Sequence, residues 1–256
     1  SCIKLYLEDR DKAGLARLEA LLAKLRGGEL GELTLTATPL AEENWEESWK
    51  DNYPPQPVGE RLIVLPYWLA DSDTEERLPV ILDPGLTFGT GAHPSTQMVM
   101  ETMEEALAKG DTCLDLGSGS GILSIAALRL GAGKATGVDI DPKAEDIARE
   151  NAAYNQIGAP EFTALTGNVL TDKPLMTTLQ QNRYDLVLVN IVADVIIGLS
   201  PVLPEFLSDH SVLICSGILD SRLQDVINAL EKAGLTVVQT KAKEDWRCIT
   251  AKRSNL

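Results

Sequence analysis

The chain is short of aromatic residues, with 3 Phe, 5 Tyr and 4 Trp, and it has only 2 His. His93 and His210 lie far apart with no ligand-like neighbours, so no metal site is expected from their spacing. The 4 cysteines, Cys2, Cys113, Cys215 and Cys248, contain no Cys-x-x-Cys pair, which argues against a zinc site and against a disulfide framework. Cys113 and Cys215 fall inside apolar runs that read as buried strands. No segment reaches the ~20 uninterrupted apolar residues of a membrane span. The N-terminus lacks a basic-then-apolar signal pattern, so a cytoplasmic location is the expectation. Positive charge is also scarce. Lys and Arg total 23 against 38 Asp and Glu, a formal net charge of −15. Such a surface repels a phosphate backbone, so direct nucleic-acid binding is not expected, and neither is a membrane partner. A basic protein is the better-matched partner, with plain solubility an equal explanation of the charge.

What is present suffices for a core: 44% of the 256 residues are hydrophobic, enough for one full α/β domain and a small companion. Residues 1–41 read as a β-α-β fragment: a strand Ile3–Leu7, a helix with apolar positions Leu15, Leu18, Leu21, Leu22 and Leu25, and a strand Leu33–Thr38. Residues 42–55 read as a linker, a charged short helix with Trp45 and Trp49 on one face, ended by the run Tyr53-Pro-Pro-Gln-Pro57. From residue 56 onward, strands are expected at Arg61–Pro66, Leu78–Leu82, Thr112–Leu116, Ala135–Asp139, Glu161–Thr166, Asp185–Asn190, Val212–Ser216, Thr236–Thr240 and Trp246–Ala251. Helices fall between most of the later ones. This alternation predicts a doubly wound, mostly parallel sheet with helices on both faces. The link Lys241–Asp245 is too short for a crossover helix, so the last two strands are expected to pair antiparallel.

The chemistry concentrates where the strand ending Leu114-Asp115-Leu116 turns through Gly117-Ser-Gly119-Ser-Gly121 into an apolar-faced helix. Glycine suits a turn with unusual dihedrals and a ligand that approaches bare backbone. The third glycine arrives one residue too early for the dinucleotide fingerprint Gly-x-Gly-x-x-Gly. About twenty residues on, the next strand ends Gly137-Val-Asp139-Ile-Asp141-Pro142. A carboxylate at that tip accepts ribose hydroxyls, which assigns Asp139 to an adenosine and Asp141 to capping the following helix. The glycine-loop backbone, with Asp115 behind it, suits the amino-acid tail of S-adenosylmethionine.

Two further segments belong to the candidate site. The strand Tyr184–Asn190 is apolar until Asn190, whose carboxamide would face the cofactor and accept a hydrogen bond from an incoming amine; capping the helix after Ile191 is the compatible structural role. Upstream, the loop Asp83 to Thr96 holds Phe88, Gly89 and two other glycines just before a helix, and reads as a cover over the cofactor. Phe88 would pack on adenine or the methyl donor and Thr96 would bond the cofactor from the helix start. Alternatively Ser95 or Thr96 is a helix cap and His93 a surface turn residue.

Taken together, Asp83-Pro-Gly-Leu-Thr-Phe-Gly-Thr-Gly-Ala-His-Pro-Ser-Thr96, Leu114-Asp-Leu-Gly-Ser-Gly-Ser-Gly-Ile-Leu123, Gly137-Val-Asp-Ile-Asp-Pro142, Asn190-Ile-Val-Ala193, Ser216-Gly-Ile-Leu219 and Glu244-Asp-Trp-Arg-Cys-Ile-Thr250 closely resemble the PrmA family. These are class I S-adenosylmethionine-dependent methyltransferases of ribosomal protein L11. The resemblance implies a Rossmann-like seven-stranded sheet with the last strand antiparallel, and S-adenosylmethionine as cofactor, leaving S-adenosylhomocysteine. It places Thr96, Gly117, Asp139 and Asn190 on cofactor positions, beside Gly119, Gly121, Phe88 and Gly89 from the reading above. It implies methyl transfer to α-amino and lysine ε-amino groups of the basic ribosomal protein L11. For in-line transfer to a neutral amine, the Asn190 side-chain oxygen and nearby backbone carbonyls are expected to orient the nitrogen, and a monomer is the expected working unit. It also implies a small N-terminal recognition domain, of which residues 1–41 are an incomplete version. The alternatives are a methyltransferase for a small molecule or a nucleic-acid base, a nicotinamide-dependent oxidoreductase, and a non-catalytic cofactor-binding module. Asn190-Ile-Val-Ala lacks the aromatic that base-modifying enzymes often place after Asn-Pro-Pro.

Overall fold

The computed structural model describes residues 12–25, 50, 53–85 and 90–254. The chain divides into two compact units, Ser1–Asn52 and Tyr53–Leu256. In the first, helix α1 (Lys12–Leu25) carries half-buried Leu15, Leu18 and Leu22 on one face, while Leu21 is exposed. The expected strands Ile3–Leu7 and Leu33–Thr38 and most of the charged helix at 42–51 lie outside the described residues.

The second unit is built on a seven-stranded sheet. Its strands are β4 (Thr112–Leu116), β5 (Lys134–Asp139), β6 (Phe162–Thr166), β7 (Tyr184–Asn190), β8 (Leu207–Leu219), β9 (Leu235–Lys243) and β10 (Trp246–Arg253). They lie in the order β6-β5-β4-β7-β8-β10-β9. The first five in that order are parallel, and β10 slots between β8 and β9, antiparallel to both. The expected antiparallel final pair is therefore present. Its hairpin turns at Glu244 and Asp245, with Glu244 at φ 52°.

Helices α2 (Pro94–Ala106), α3 (Ile122–Leu130) and α4 (Pro142–Tyr154) supply one apolar layer, in which Met98, Met103, Ile125 and Ala148 pack with Cys113 and Leu188 of the sheet. Helices α5 (Lys173–Gln180), α6 (Ala193–Leu199) and α7 (Leu223–Lys232) supply the other, with Leu179, Ile196 and Val226 against Leu114, Val187 and Cys215. Neighbouring strand residues such as Leu186 to Val189 are all buried because both faces are covered, which is why these strands read as apolar runs rather than alternating patterns. Among the described residues no helix is long and apolar enough to cross a membrane.

A second, three-stranded sheet, β1 (Gln56–Val58), β2 (Leu62–Pro66) and β3 (Leu78–Leu82), is held by long-range polar contacts. The Glu104 carboxylate accepts the backbone N–H groups of Glu60, Arg61 and Leu62 at 2.9–3.1 Å. At the C-cap of α4, fully buried Asn155 accepts from Ile81 N and donates to Ile81 O, while Asn151 within α4 accepts from Asp83 N and donates to Ser120 O.

Two elements differ from expectation. β1 was not foreseen because its Pro57 reads as a strand breaker; as the edge strand of its sheet, it has one side free of ladder bonds and tolerates proline. β8 begins five residues earlier than expected, so the strand takes in His210. Ser211 makes this possible: its hydroxyl donates to Tyr184 O and accepts from Ser208 N across the register shift beside Tyr184.

Candidate active site

The chain runs outward from β4 to β5 and β6 on one side, then returns to start β7 on the other, so the strand order reverses between β4 and β7. Ligands bind outside the carboxyl ends of strands at such a reversal. A cavity of about 840 Å³ opens there, lined among others by Thr96, Gly117, Gly119, Asp139, Asn190 and Trp246.

The floor is the turn after β4. Gly117 and Gly121 adopt φ of 82° and 78°, values that L side chains rarely take. The N–H groups of Gly117 and Ser118 bond to Val138 O, which fixes the turn to β5. Gly119 N–H donates to Asp139 Oδ2 at 2.8 Å and Asp141 N–H donates to Oδ1 at 3.0 Å. Each carboxylate oxygen of Asp139 therefore has a fixed direction and a lone pair to spare for a ribose hydroxyl. Asp141 accepts from Lys143 N as the N-cap of α4, as expected. Gly121 stands off the cavity wall: a Cβ there would come within 3.0 Å of Ala148 Cβ, so this glycine lets α4 approach the turn.

Two apolar side chains flank the Asp139 end of the cavity. Ile140 is 68% exposed and Leu170 is 48% exposed, unusual for aliphatic residues beside a pocket. A flat heterocycle lying against them would cover both. Sequence reasoning missed this pair; the available signal was an apolar residue directly after a strand-tip acid.

Asp115 lies behind the turn, wholly buried. Its Oδ2 accepts from Ser124 Oγ at 2.9 Å and its Oδ1 has no partner among the described residues. Burial pushes its carboxyl up to about 7; the Ser124 hydrogen bonds oppose the shift and the Asp139 charge adds to it.

At the other end of the cavity, Asn190 Nδ2 donates to Thr96 Oγ1 at 3.2 Å. Asn190 Oδ1 is buried and no donor among the described residues reaches it. The carboxamide does not cap α6: that helix begins at Ala193, is preceded by Val192 and has no side-chain cap. Neither Ser95 nor Thr96 caps α2. His93 does so, its Nδ1 accepting from Ser95 N at 3.2 Å, while its ring meets Trp246 edge to face at 4.5 Å. Thus Thr96, Gly117, Gly119, Asp139 and Asn190 come together around one cavity, whereas Phe88 and Gly89 lie outside the described residues.

A family profile described as "Ribosomal protein L11 methyltransferase (PrmA)" matches residues 2–254. The chain belongs to this family. A ribosomal protein L11 methyltransferase of Clostridium perfringens is 37% identical over 236 residues, covering 92% of this chain and 72% of that protein. One of Fusobacterium nucleatum is 36% identical over 212 residues, covering 83% of this chain and 66% of that protein. Among solved structures, the ribosomal protein L11 methylase of Lactobacillus delbrueckii subsp. bulgaricus superposes with a TM-score of 0.71 at 30% identity, covering 79% of this chain and 100% of that one. As a PrmA-family protein, the chain is an S-adenosylmethionine-dependent methyltransferase with the Rossmann-like sheet of its class. The cavity fits that cofactor. A directed carboxylate, a glycine turn with accessible backbone and an apolar clamp match a ligand that bears a ribose, an amino-acid tail and a heterocycle.

Proposed function

We propose that this enzyme transfers methyl groups from S-adenosylmethionine to the α-amino and lysine ε-amino groups of ribosomal protein L11, in the cytoplasm, as a monomer and without direct binding to nucleic acid. One observation carries the acceptor assignment: Asn190 lines the cavity, and its buried Oδ1 has no hydrogen-bond partner among the described residues. A buried acceptor left unpaired costs about 1–3 kcal/mol, and an amine N–H relieves that cost. Relatives are named for methylating L11, and an acidic chain of net charge −15 complements a basic protein.

The cofactor supplies an electrophilic methyl on a sulfonium. The protein's task is orientation and exclusion of water. In this reading Asp139 holds the ribose, the Gly117–Gly119 turn faces the amino-acid tail, Thr96 fixes the Asn190 amide through its hydroxyl, and Asn190 Oδ1 accepts an N–H of the neutral amine so that the nitrogen lone pair points at the methyl. The proton of the amine leaves to solvent. Phe88 and Gly89 belong to the covering loop 83–96. Residues 1–41 present the substrate and 42–55 link them to the methyltransferase domain, 56–256.

The test is direct. The enzyme is incubated with methyl-labelled S-adenosylmethionine and a mixture of ribosomal proteins and RNA, and label is located by peptide mass spectrometry. Label on amino groups of L11 is expected. Label on RNA or a small molecule, with none on L11, overturns the assignment.

A further inference from the structure

Ile191, the residue after Asn190, is gripped from two sides by glycines that belong to different strand ends. A Cβ on Gly117 would lie 2.5 Å from Ile191 Cγ2, and a Cβ on Gly217 would lie 2.5 Å from Ile191 O and 2.9 Å from its carbonyl carbon. Both glycines have positive φ, 82° and 80°. The Ile191 N–H also donates to Ser216 O at 3.2 Å. Gly117 opens the cofactor turn after β4, and Gly217 lies in β8 beside Asn190, whose backbone is in register with Ser216. The Ile191 side chain therefore bears on the cofactor turn while its main chain bears on β8, and the peptide between them carries Asn190.

We propose that Ile191 is a positioning residue: wedged between Gly117 and Gly217, it fixes the peptide of Asn190 and ties the place of the acceptor amine to the conformation of the cofactor turn. The inference rests on the reading of Asn190 as the amine acceptor. A displacement of 1 Å in such a group costs about a hundred-fold in rate, so a contact this tight bears on turnover. Ile191 is half-buried and lines the cavity, so its place is set by the two glycines rather than by an enclosing core.

The test has two arms on the full chain. In the first, turnover on L11 and affinity for S-adenosylhomocysteine are measured together. Ile191→Val keeps Cγ2 and should match the parent. Ile191→Ala removes it and should lower kcat about ten-fold or more while the dissociation constant stays within about three-fold. Gly217→Ala should lower kcat likewise. Gly234→Ala controls for backbone strain: Gly234 has φ 84° with nothing within 4 Å of its would-be Cβ, and this variant should leave kcat unchanged. In the second arm, a binding cycle on S-adenosylhomocysteine needs no turnover. Gly117→Ala should weaken binding, and adding Ile191→Ala should restore about ten-fold of it, because the 2.5 Å collision disappears. Equal kcat for Ile191→Ala and the parent overturns the proposal, and so does a double variant that binds no better than Gly117→Ala alone. If the parent methylates nothing in L11, the proposed substrate fails, and the binding cycle alone decides whether Ile191 bears on the cofactor turn.

Discussion

Asn190 has two hydrogen-bonding ends with separate fates. Its Nδ2 is spent on Thr96 Oγ1, while Oδ1 is buried without a donor among the described residues. With Nδ2 tethered to Thr96, Oδ1 is left as an acceptor for an incoming N–H. Asn190→Ala should therefore reduce kcat by about a hundred-fold, the effect of losing an oriented contact to the reacting group, while S-adenosylhomocysteine affinity changes by less than about ten-fold. Steady-state kinetics with isothermal calorimetry checks this; a variant with normal turnover would remove Asn190 from the chemistry. Asp115 poses the opposite problem, a carboxyl that the fold prefers neutral. Its folded value of about 7 lies above the ~3.9 of an unfolded aspartate. Between those values the unfolded chain has released a proton that the folded chain keeps, so stability from this group is full below the unfolded value, falls as pH rises, and is lost above the folded value. Asp115→Asn cannot titrate. The melting temperature of the cofactor-free variant minus that of the parent should accordingly grow between about pH 5 and about pH 8, by the equivalent of on the order of 2–3 kcal/mol. A difference that stays flat with pH would mean the folded carboxyl is already ionised.

At the scale of elements, α4 does more than cover the sheet. Its start is capped by Asp141 just after β5, and its last turn and C-cap carry two fully buried asparagines, Asn151 and Asn155, that hold β3 and the root of the 83–96 loop. Asn155→Ala would strand the N–H and C=O of Ile81 in the interior together with Asn151 O, three groups that now bond to one carboxamide. We expect a loss of about 2–4 kcal/mol in urea unfolding, with S-adenosylhomocysteine binding at native conditions largely kept, because the glycine turn is fixed separately by Val138 and Asp139. These asparagines were not legible in the sequence. Their partners lie 74 and 68 residues away, and polar residues in an amphipathic helix ordinarily face water. The parallel strands were legible because burial on both faces leaves an apolar run, and the turn after Leu116 because few other sequences pack three glycines between a strand and a helix. The capping role of His93 and the early start of β8 escaped for a shared reason. In both, a side chain supplies a backbone partner that residue type alone does not announce.

Across the whole molecule, charge and site answer to different distances. The excess of 15 negative charges acts over the screening length of the solution, whereas Asp139, the glycine turn and Asn190 act through contacts near 3 Å. Local ion pairs do not neutralise this excess. Lys241 with Glu105, Lys243 with Glu101 and Arg247 with Asp220 each consume a cation as well as an anion. A basic protein substrate should accordingly be drawn in by a field that salt weakens, while a small cofactor held inside the cavity should not notice. Raising salt from about 0.05 to about 0.3 M ought to raise KM for L11 several-fold and leave the S-adenosylhomocysteine dissociation constant within about two-fold. Kinetics and calorimetry on one preparation decide it. If both constants moved together, the salt would be acting on the fold or the cavity, and long-range attraction would have no part in choosing the substrate.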